Sequence, residues 1–403
     1  MKNLKENFYK YQAQTTRFAS GFEVDYAKGA YIYGKDGKAY LDFVAGVSVN
    51  TLGHSNRKIN DAIKQQVDRY MHVAVYGEYA QEQPVELCKR LVDNTPEGLE
   101  QVYLVNSGTE AVEASLKLAK RFTGRQQIVS FRNAYHGNTH GSLSVSGGDE
   151  RKKAAFRPLL PEVYFIEFNR EEDLQYITTK TAGVIVETIR GASGFRLPEN
   201  DYLIKLKNRC DEVGALLIFD EIQPGFGRTG KLFAFEHYGV TPHIVAMGKG
   251  MANGLPIGAF MSSHKIMSTL KENPQLGHIT TFGGNPVIAA AANALLDELL
   301  TTSIMQDIDQ KENLFREMLQ HPKIKTIHGR GLMLAPELSS PEYALRVAEE
   351  CMNRGLILFW LMYSIENLRI TPPLNITNDE IEKGCRILLS VCLLYTSDAA
   401  DDS

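Results

Sequence analysis

The residues with the clearest chemical potential are an acid and a lysine that close two successive apolar runs. Ala215-Leu216-Leu217-Ile218-Phe219 is short and continuously apolar, as expected of a strand buried on both faces, and it ends on Asp220-Glu221. A glycine-rich turn follows (Gly225, Gly227, Gly230), then His243-Ile244-Val245-Ala246-Met247, and then Gly248-Lys249-Gly250. Ligands of open α/β sheets bind at the carboxyl ends of the strands, so Asp220 and Lys249 can face each other across one cleft. Lysine forms Schiff bases with carbonyl compounds, and a pyridoxal cofactor needs an acid on its ring nitrogen. If the carboxylate keeps that nitrogen protonated, the ring can accept the electrons of a substrate carbanion. Each residue alone is weak. A lysine between glycines is usually a solvated loop residue, and a strand ending in Asp-Glu is often a helix cap or surface turn. Their order along the chain carries the reading.

The run Asp220-Glu221-Ile222-Gln223 through Gly225-Phe226-Gly227-Arg228-Thr229-Gly230, with Lys249 downstream, resembles the class III (ω-amino-acid) pyridoxal-phosphate aminotransferases. The likeness is greatest to acetylornithine and ornithine members and extends over residues 31–389. It implies that Lys249 holds pyridoxal 5'-phosphate (PLP) and, once displaced, serves as general base and acid. It implies further that Asp220 pairs with the ring nitrogen, that Tyr135 and Ile222 sandwich the ring, and that Gln223 bonds the ring hydroxyl. His136 and Glu187 complete the implied cofactor site. No metal is expected.

Asn106-Ser107-Gly108-Thr109-Glu110 follows an apolar run and opens a helical pattern. Such a turn offers free backbone N–H groups, two hydroxyls and the positive end of a helix dipole, a place that suits phosphate. It would equally serve as an ordinary N-cap. The resemblance assigns the phosphate to Ser107, Gly108 and Thr109. It also gives Thr281, in His278-Ile279-Thr280-Thr281-Phe282-Gly283-Gly284-Asn285-Pro286, to the phosphate of a neighbouring subunit. The expected assembly is a homodimer with shared active sites.

Asn367-Leu368-Arg369-Ile370-Thr371-Pro372-Pro373-Leu374 resembles the family's carboxylate-binding arginine segment. An arginine gives a carboxylate two parallel hydrogen bonds, which makes Arg369 the candidate. Two departures bear on the substrate. Acetylornithine and ornithine members commonly carry arginine directly after the aromatic-His-Gly triplet, where this chain has Asn138. Many carry Gly-Glu-Gly after the sheet glutamate, and that Glu pairs with the carboxylate-binding arginine. Here Glu187-Thr188-Ile189-Arg190-Gly191-Ala192-Ser193-Gly194 puts Ala192 in its place. Arg369 should therefore lack its usual partner, and Arg190 is a second substrate-binding candidate. The expected reaction moves an amino group from an acetylornithine- or ornithine-like ω-amine or amino acid to a 2-oxo acid such as 2-oxoglutarate. The alternatives are an aminomutase of the glutamate-1-semialdehyde type, a transaminase for another ω-amine such as 4-aminobutyrate, and a catalytically dead relative. Joint retention of Lys249, Asp220 and the phosphate turn disfavours the last.

Positioning these residues requires a sheet. Residues 101–105, 128–131, 181–187, 215–220, 243–247 and 256–261 read as strands, with helical periodicity at 111–121 and within 195–214. Strands alternating with helices imply a mostly parallel sheet with helices on both faces. The resemblance implies an α/β fold of type I, with a seven-stranded sheet in the large domain and a smaller α+β domain. Lys35-Asp36-Gly37-Lys38 between alternating runs signals a hairpin. Residues 44–56, VAGVSVNTLGHSN, resemble the stretch that runs from the small domain into the active site of acetylornithine-type members, while 44–49 also read mostly as a core strand; 56–73 and 82–91 read as helices, and 287–300 as a long alanine-rich helix. Strand, helix and helix patterns follow at 325–338, 340–354 and 378–390. The expected domains are residues 1–50 with the small domain, 51–286 as the cofactor-binding domain and 287–391 as the carboxyl-terminal small domain. Residues 392–403, CLLYTSDAADDS, look unlike the rest and read as a non-native tail.

Composition excludes other classes. The chain has 403 residues, enough for two domains, with 43% hydrophobic and 23% charged residues. Its net charge of -4 offers no basic field for nucleic acid or an anionic membrane. No apolar stretch approaches the ~20 residues that span a bilayer. The amino terminus has no signal-peptide core. Five scattered cysteines without a Cys-x-x-Cys pair fit reduced thiols in a cytoplasm.

Overall fold

Seven strands form the sheet that carries the candidate residues. In spatial order they are Gln101–Val105, Gly258–Ser262, Ile244–Gly248, Leu216–Asp220, Thr181–Glu187, Gln127–Phe131 and Val163–Ile166. The computed structural model describes residues 3–17 and 19–397. Gly258–Ser262 runs antiparallel to both neighbours, and the remaining pairs are parallel. Thr181–Glu187, Leu216–Asp220 and Ile244–Gly248 are buried at every position, which is why their sequences are continuous apolar runs rather than alternating ones.

The register fixes what meets at the carboxyl edge. Glu187 lies opposite Asp220, and Asp220 opposite Ala246. Gly258 pairs with both Val105 and Gly248, so Ser107 and Lys249 emerge at the same end of the sheet. The backbone at residues 107 and 108 crosses closely there. A Cβ on Gly258 would stand 2.0 Å from the Ser107 carbonyl, and one on Gly248 would stand 3.2 Å from the Gly108 Cα. Only glycine permits that approach.

Helix Gly108–Thr123 buries Ala111, Val112, Ala114, Leu116, Leu118 and Ala119 and ends on Gly124 at φ 69°. Helix Pro286–Thr301 lies against Arg57–Arg69 and Glu82–Asp93. Two four-stranded sheets complete the molecule. One pairs Val24–Lys28, Tyr31–Gly34 and Ala39–Asp42 with Leu356–Ile357, joining the first residues to the last third of the chain. The other contains Thr326–Arg330, Met333–Glu337, Ser364–Arg369 and Phe359–Leu361.

The structure corrects the sequence reading at several places. Residues 44–49 are no strand. Ala45, Gly46, Val47 and Ser48 have φ of 50°, 62°, 66° and 63°, a left-handed turn that apolar character alone does not reveal. Residues 325–338 form two strands joined at Gly331, not one. Val163–Ile166 is an additional edge strand, half exposed and so lacking the buried-run signal. Helix Asn378–Ser397 continues into the segment read as a tail, where Cys392 is buried and its carbonyl accepts the Tyr343 hydroxyl at 3.1 Å. The rest of that segment, residues 398–403, lies outside the described residues. Among the described residues no helix is long and apolar enough to cross a membrane, and no cluster of three metal-ligating side chains occurs.

Candidate active site

Asp220 ends its strand with a buried carboxylate held from two sides. Its Oδ2 lies 2.7 Å from Nδ1 of His136, and its Oδ1 accepts the backbone N–H of Ile222 at 3.0 Å. An ionised carboxylate only accepts, so the imidazole proton in this bond sits on Nδ1. His136 is itself fixed by its backbone N–H, which donates to Ser146 Oγ at 3.0 Å. Its Nε2 is buried without a hydrogen-bond partner among the described residues.

The neighbouring acids have backbone partners of their own. Side chains alternate along a strand, so Glu221 points away from Asp220. It accepts the N–H groups of Ala234 at 2.8 Å and Phe235 at 3.0 Å, which caps the short helical turn Ala234–Tyr238. Burial pushes its carboxyl up to about 8. Glu187 accepts from the backbone of Tyr135 at 3.1 Å and of Gly191 at 2.9 Å. It thereby ties the Tyr135 loop to the sheet edge. Burial raises its pKa, while Arg190 and His136 act against that rise.

Lys249 occupies the left-handed region at φ 44°, a strained conformation that recurs at functional sites. Burial pushes its ammonium down to about 8, opposed by Asp220 and Glu187 and assisted by Arg369. An amine in that range can take up and release protons near neutral pH. The left-handed turn at residues 45–48 lies beside it. Thr51 Oγ1 donates to the Gly250 carbonyl at 2.9 Å, and Gln223 Nε2 donates to Ser48 Oγ at 3.3 Å.

At the next strand end, Ser107 caps helix Gly108–Thr123 by accepting the Glu110 N–H at 3.3 Å. The N–H groups of a helix's first turn have no partner within the helix, which leaves an anion-binding end. The Thr109 hydroxyl is held by Thr139 at 2.8 Å and Ser142 at 2.6 Å. Ile222 lies against Gly108, where an added Cβ would meet it at 2.9 Å. The Tyr135 hydroxyl accepts from Asn138 Nδ2 at 3.3 Å, and burial together with Asp220 and Glu187 raises its pKa.

The two arginines differ. Arg369 is 9% exposed, and its Nε and Nη1 have no hydrogen-bond partner among the described residues. Its guanidinium lies 5.9 Å from the Phe195 ring centre, and burial pushes its pKa down to about 10. Arg190 is 3% exposed and already engaged. It donates to the Arg132 carbonyl, stands 3.5 Å from Glu187 Oε2 and lies over the Phe168 ring at 5.1 Å. Thr281 is exposed and belongs to no part of this cluster within the chain. Sequence reasoning missed Tyr363. Its backbone N–H donates to the Ala192 carbonyl at 3.0 Å, and its phenol is pushed up to about 12 by burial, then by Glu187 and Tyr135. A hairpin tyrosine six residues before Arg369 carries no signal of its own.

This combination of lysine, acid and helix terminus on one sheet edge has counterparts. Residues 11–392 match the family model described as aminotransferase class-III. The chain belongs to the class-III aminotransferases. It is 37% identical to the acetylornithine aminotransferase of Clostridium acetobutylicum, over 90% of this chain and 94% of that protein. It is 35% identical to the [LysW]-aminoadipate semialdehyde/glutamate semialdehyde transaminase of Sulfurisphaera tokodaii, over 90% and 93%. An ornithine aminotransferase structure from Toxoplasma gondii, described as having partial occupancy of PLP at the active site, superposes with a TM-score of 0.90. It is 28% identical and is covered over 98% of this chain and 95% of that one. This class-III aminotransferase is thus a PLP-dependent transaminase that works on an amino donor and a 2-oxo acid. Its residues fit the cofactor: an amine for the aldehyde, a pinned carboxylate for the ring nitrogen and a helix amino terminus for the phosphate.

Proposed function

We propose that the enzyme transfers the terminal amino group of an acetylornithine- or ornithine-like ω-amino acid to 2-oxoglutarate. The observation that carries this reading is Arg369, a buried guanidinium with two unpartnered nitrogens, whose charge adds to burial in holding the Lys249 amine low. Such a group calls for a planar carboxylate, which the 2-oxo acid acceptor carries next to its reacting carbonyl. The names of the acetylornithine and semialdehyde transaminase relatives support the same class of donor.

In this reading Lys249, Asp220, His136, Tyr135, Glu187, Ile222 and Gln223 form the cofactor site with Ser107, Gly108 and Thr109. When bound, PLP supplies an aldehyde for the amine and a ring that takes up electron density. Asp220 keeps the ring nitrogen protonated, and His136 and the Ile222 N–H orient Asp220. Tyr135 and Ile222 hold the ring plane. Lys249 Nζ would take the proton from the substrate carbon that bears the amine and pass it to the bound cofactor within the same half-reaction, and the second half-reaction would run that transfer in reverse on the acceptor. Arg190 acts behind this layer by fixing Glu187.

Thr281 and the exposed apolar side chains near it, Ile279, Phe282 and Met71, belong to a homodimer whose subunits complete each other's phosphate sites. Five free cysteines, four of them buried, support a reducing, cytoplasmic setting. The test is a panel of amines, with 2-oxoglutarate as acceptor and glutamate as the measured product. Turnover of ω-amino acids above α-amino acids supports the assignment. Conversion of a single amino-aldehyde without any acceptor would instead establish an aminomutase.

A further inference from the structure

A second cavity, of about 540 Å³, opens against the outer side of the Tyr135 loop. Asn138, His140, Asp149, Lys152, Lys153 and Tyr363 are among the residues that line it. Two of these walls are shared with the active site. Asn138 donates to the Tyr135 hydroxyl, and the Tyr363 backbone N–H donates to the carbonyl of Ala192, in the loop that follows Glu187. The Tyr363 ring also lies where any side chain on Gly148 would project, with its Cζ 2.2 Å from that position.

The charges of the far wall are unbalanced. Residues 149–157, DERKKAAFR, carry two acids and four bases. Both acids are taken by arginines, Asp149 by Arg151 at 2.6 Å and Glu150 by Arg157 at 2.6 Å. The two lysines are left over. Lys152 Nζ lies 5.0 Å from the centre of the Tyr363 ring. Lys153 is only 4% exposed, yet its ion-pair partner among the described residues is Glu150 at 4.0 Å, a carboxylate already held by Arg157. Its ammonium otherwise rests over the Phe165 ring at 4.5 Å. Burying a cation without a close acceptor is costly. A cation kept there, on the wall of a cavity, is suited to an anion that arrives from solvent.

We infer that Lys153, with Lys152, forms a subsite for the carboxylate at the end of the donor remote from its reacting amine. The neutral Asn138, directly after Tyr135-His136-Gly137, lines this same cavity and brings no charge of its own. The lysines supply positive charge to the same cavity. Tyr363 links the two regions: its ring lies under Lys152 and against Gly148 on the cavity side, and its backbone N–H is held by the Ala192 carbonyl. This inference rests on the ω-amino acid reading given above.

The test compares 5-aminopentanoate with pentylamine, donors of equal chain length with and without a terminal carboxylate. Each is mixed with PLP-loaded enzyme, and the rate of loss of the cofactor's visible absorbance is followed in the single half-reaction. Lys153→Met should lower the ratio of the two specificity constants (carboxylate donor over neutral donor) by about tenfold or more, the value of one charge-assisted contact. Lys153→Arg should retain most of the ratio. Lys152→Ala lies on an exposed side chain and tests the subsite even if Lys153→Met fails to fold; it should lower the ratio about threefold. A ratio within twofold of wild type in both charge-removing variants would overturn the subsite while leaving the transaminase reading intact. So would an equal loss for both donors. Wild-type enzyme that reacts with α-amino acids but with neither of these amines would overturn the ω-amino acid reading and the subsite with it.

Discussion

His136 Nδ1 stands 2.7 Å from Asp220 Oδ2, while the other oxygen of that carboxylate accepts the Ile222 N–H. Two loops from different strands therefore orient one acid. Removing the imidazole leaves the charge of Asp220 but frees its plane. Losing one hydrogen bond to a charged group costs about 1.5–3 kcal/mol, or roughly ten- to a hundredfold in an equilibrium constant. His136→Ala should weaken PLP binding within that range, as measured by absorbance titration of cofactor-free protein. Asp220→Asn should weaken it too and also slow proton abstraction, because an amide does not favour a protonated ring nitrogen. Unchanged PLP affinity in His136→Ala would remove the histidine from this positioning role.

Lys249 gives a prediction with a defined sign. The ordinary lysine value is 10.5, and burial lowers this one to about 8. Between these values the folded, cofactor-free protein binds fewer protons than the unfolded chain, so stability contributed by this residue rises with pH across that window. Below about 8 the buried charge is a cost in full. Urea unfolding of cofactor-free wild type and Lys249→Met should therefore differ most near neutrality, with the variant the more stable, and converge toward pH 10. A constant difference across this range would place the amine in solvent. With PLP supplied, the same variant should lose turnover by several orders of magnitude, since nucleophile and proton carrier disappear together.

The parts of the fold that were legible are those that one face of burial determines. Three central strands are enclosed on both sides, and their continuous apolar sequences show it, as does the acid that ends two of them. Ser107 was legible as a helix start because capping is a local event. The turn at residues 45–48 was not. Its apolar residues suit a strand, and tertiary contacts such as Thr51 to Gly250 and Gln223 to Ser48 override that preference. The division of labour between Asp220 and Glu221 was likewise hidden, because it depends on which face of the strand meets the turn at residue 234. Spacing placed Arg190 near the substrate arginine. Only the packing shows that Phe168, the Arg132 carbonyl and Glu187 enclose it.

That enclosure separates the two arginines experimentally. Arg369→Ala removes a guanidinium with two unpartnered nitrogens, so it should weaken the 2-oxo acid acceptor by roughly ten- to a hundredfold in specificity constant while sparing the fold. Arg190→Ala leaves Glu187 buried without its cation. Breaking such a pair typically costs about 3–5 kcal/mol of stability, visible as a lower melting temperature. Its kinetic loss should be the same for 2-oxoglutarate and for a monocarboxylate acceptor. A loss confined to 2-oxoglutarate would return Arg190 to the substrate.

The proposed dimer makes the last prediction. Phe282 is 58% exposed, and Met71, Tyr79 and Ile279 are exposed as well, in two segments that hold each other. Asn285 Nδ2 donates to the Met71 carbonyl at 3.0 Å, and His72 meets the Phe282 ring at 5.2 Å between ring centres. Exposed apolar side chains gathered in this way mark an interaction surface, and Thr281 sits within it. A charge at its centre, Phe282→Asp, should dissociate the assembly in sedimentation and lower PLP retention in parallel. Thr281→Ala removes only a hydroxyl, so it should weaken PLP retention in a protein that still sediments as a dimer. These two variants separate assembly from phosphate binding. A Phe282→Asp monomer that keeps PLP and full activity would mean that each chain completes its own site, and Thr281 would then be an ordinary loop residue.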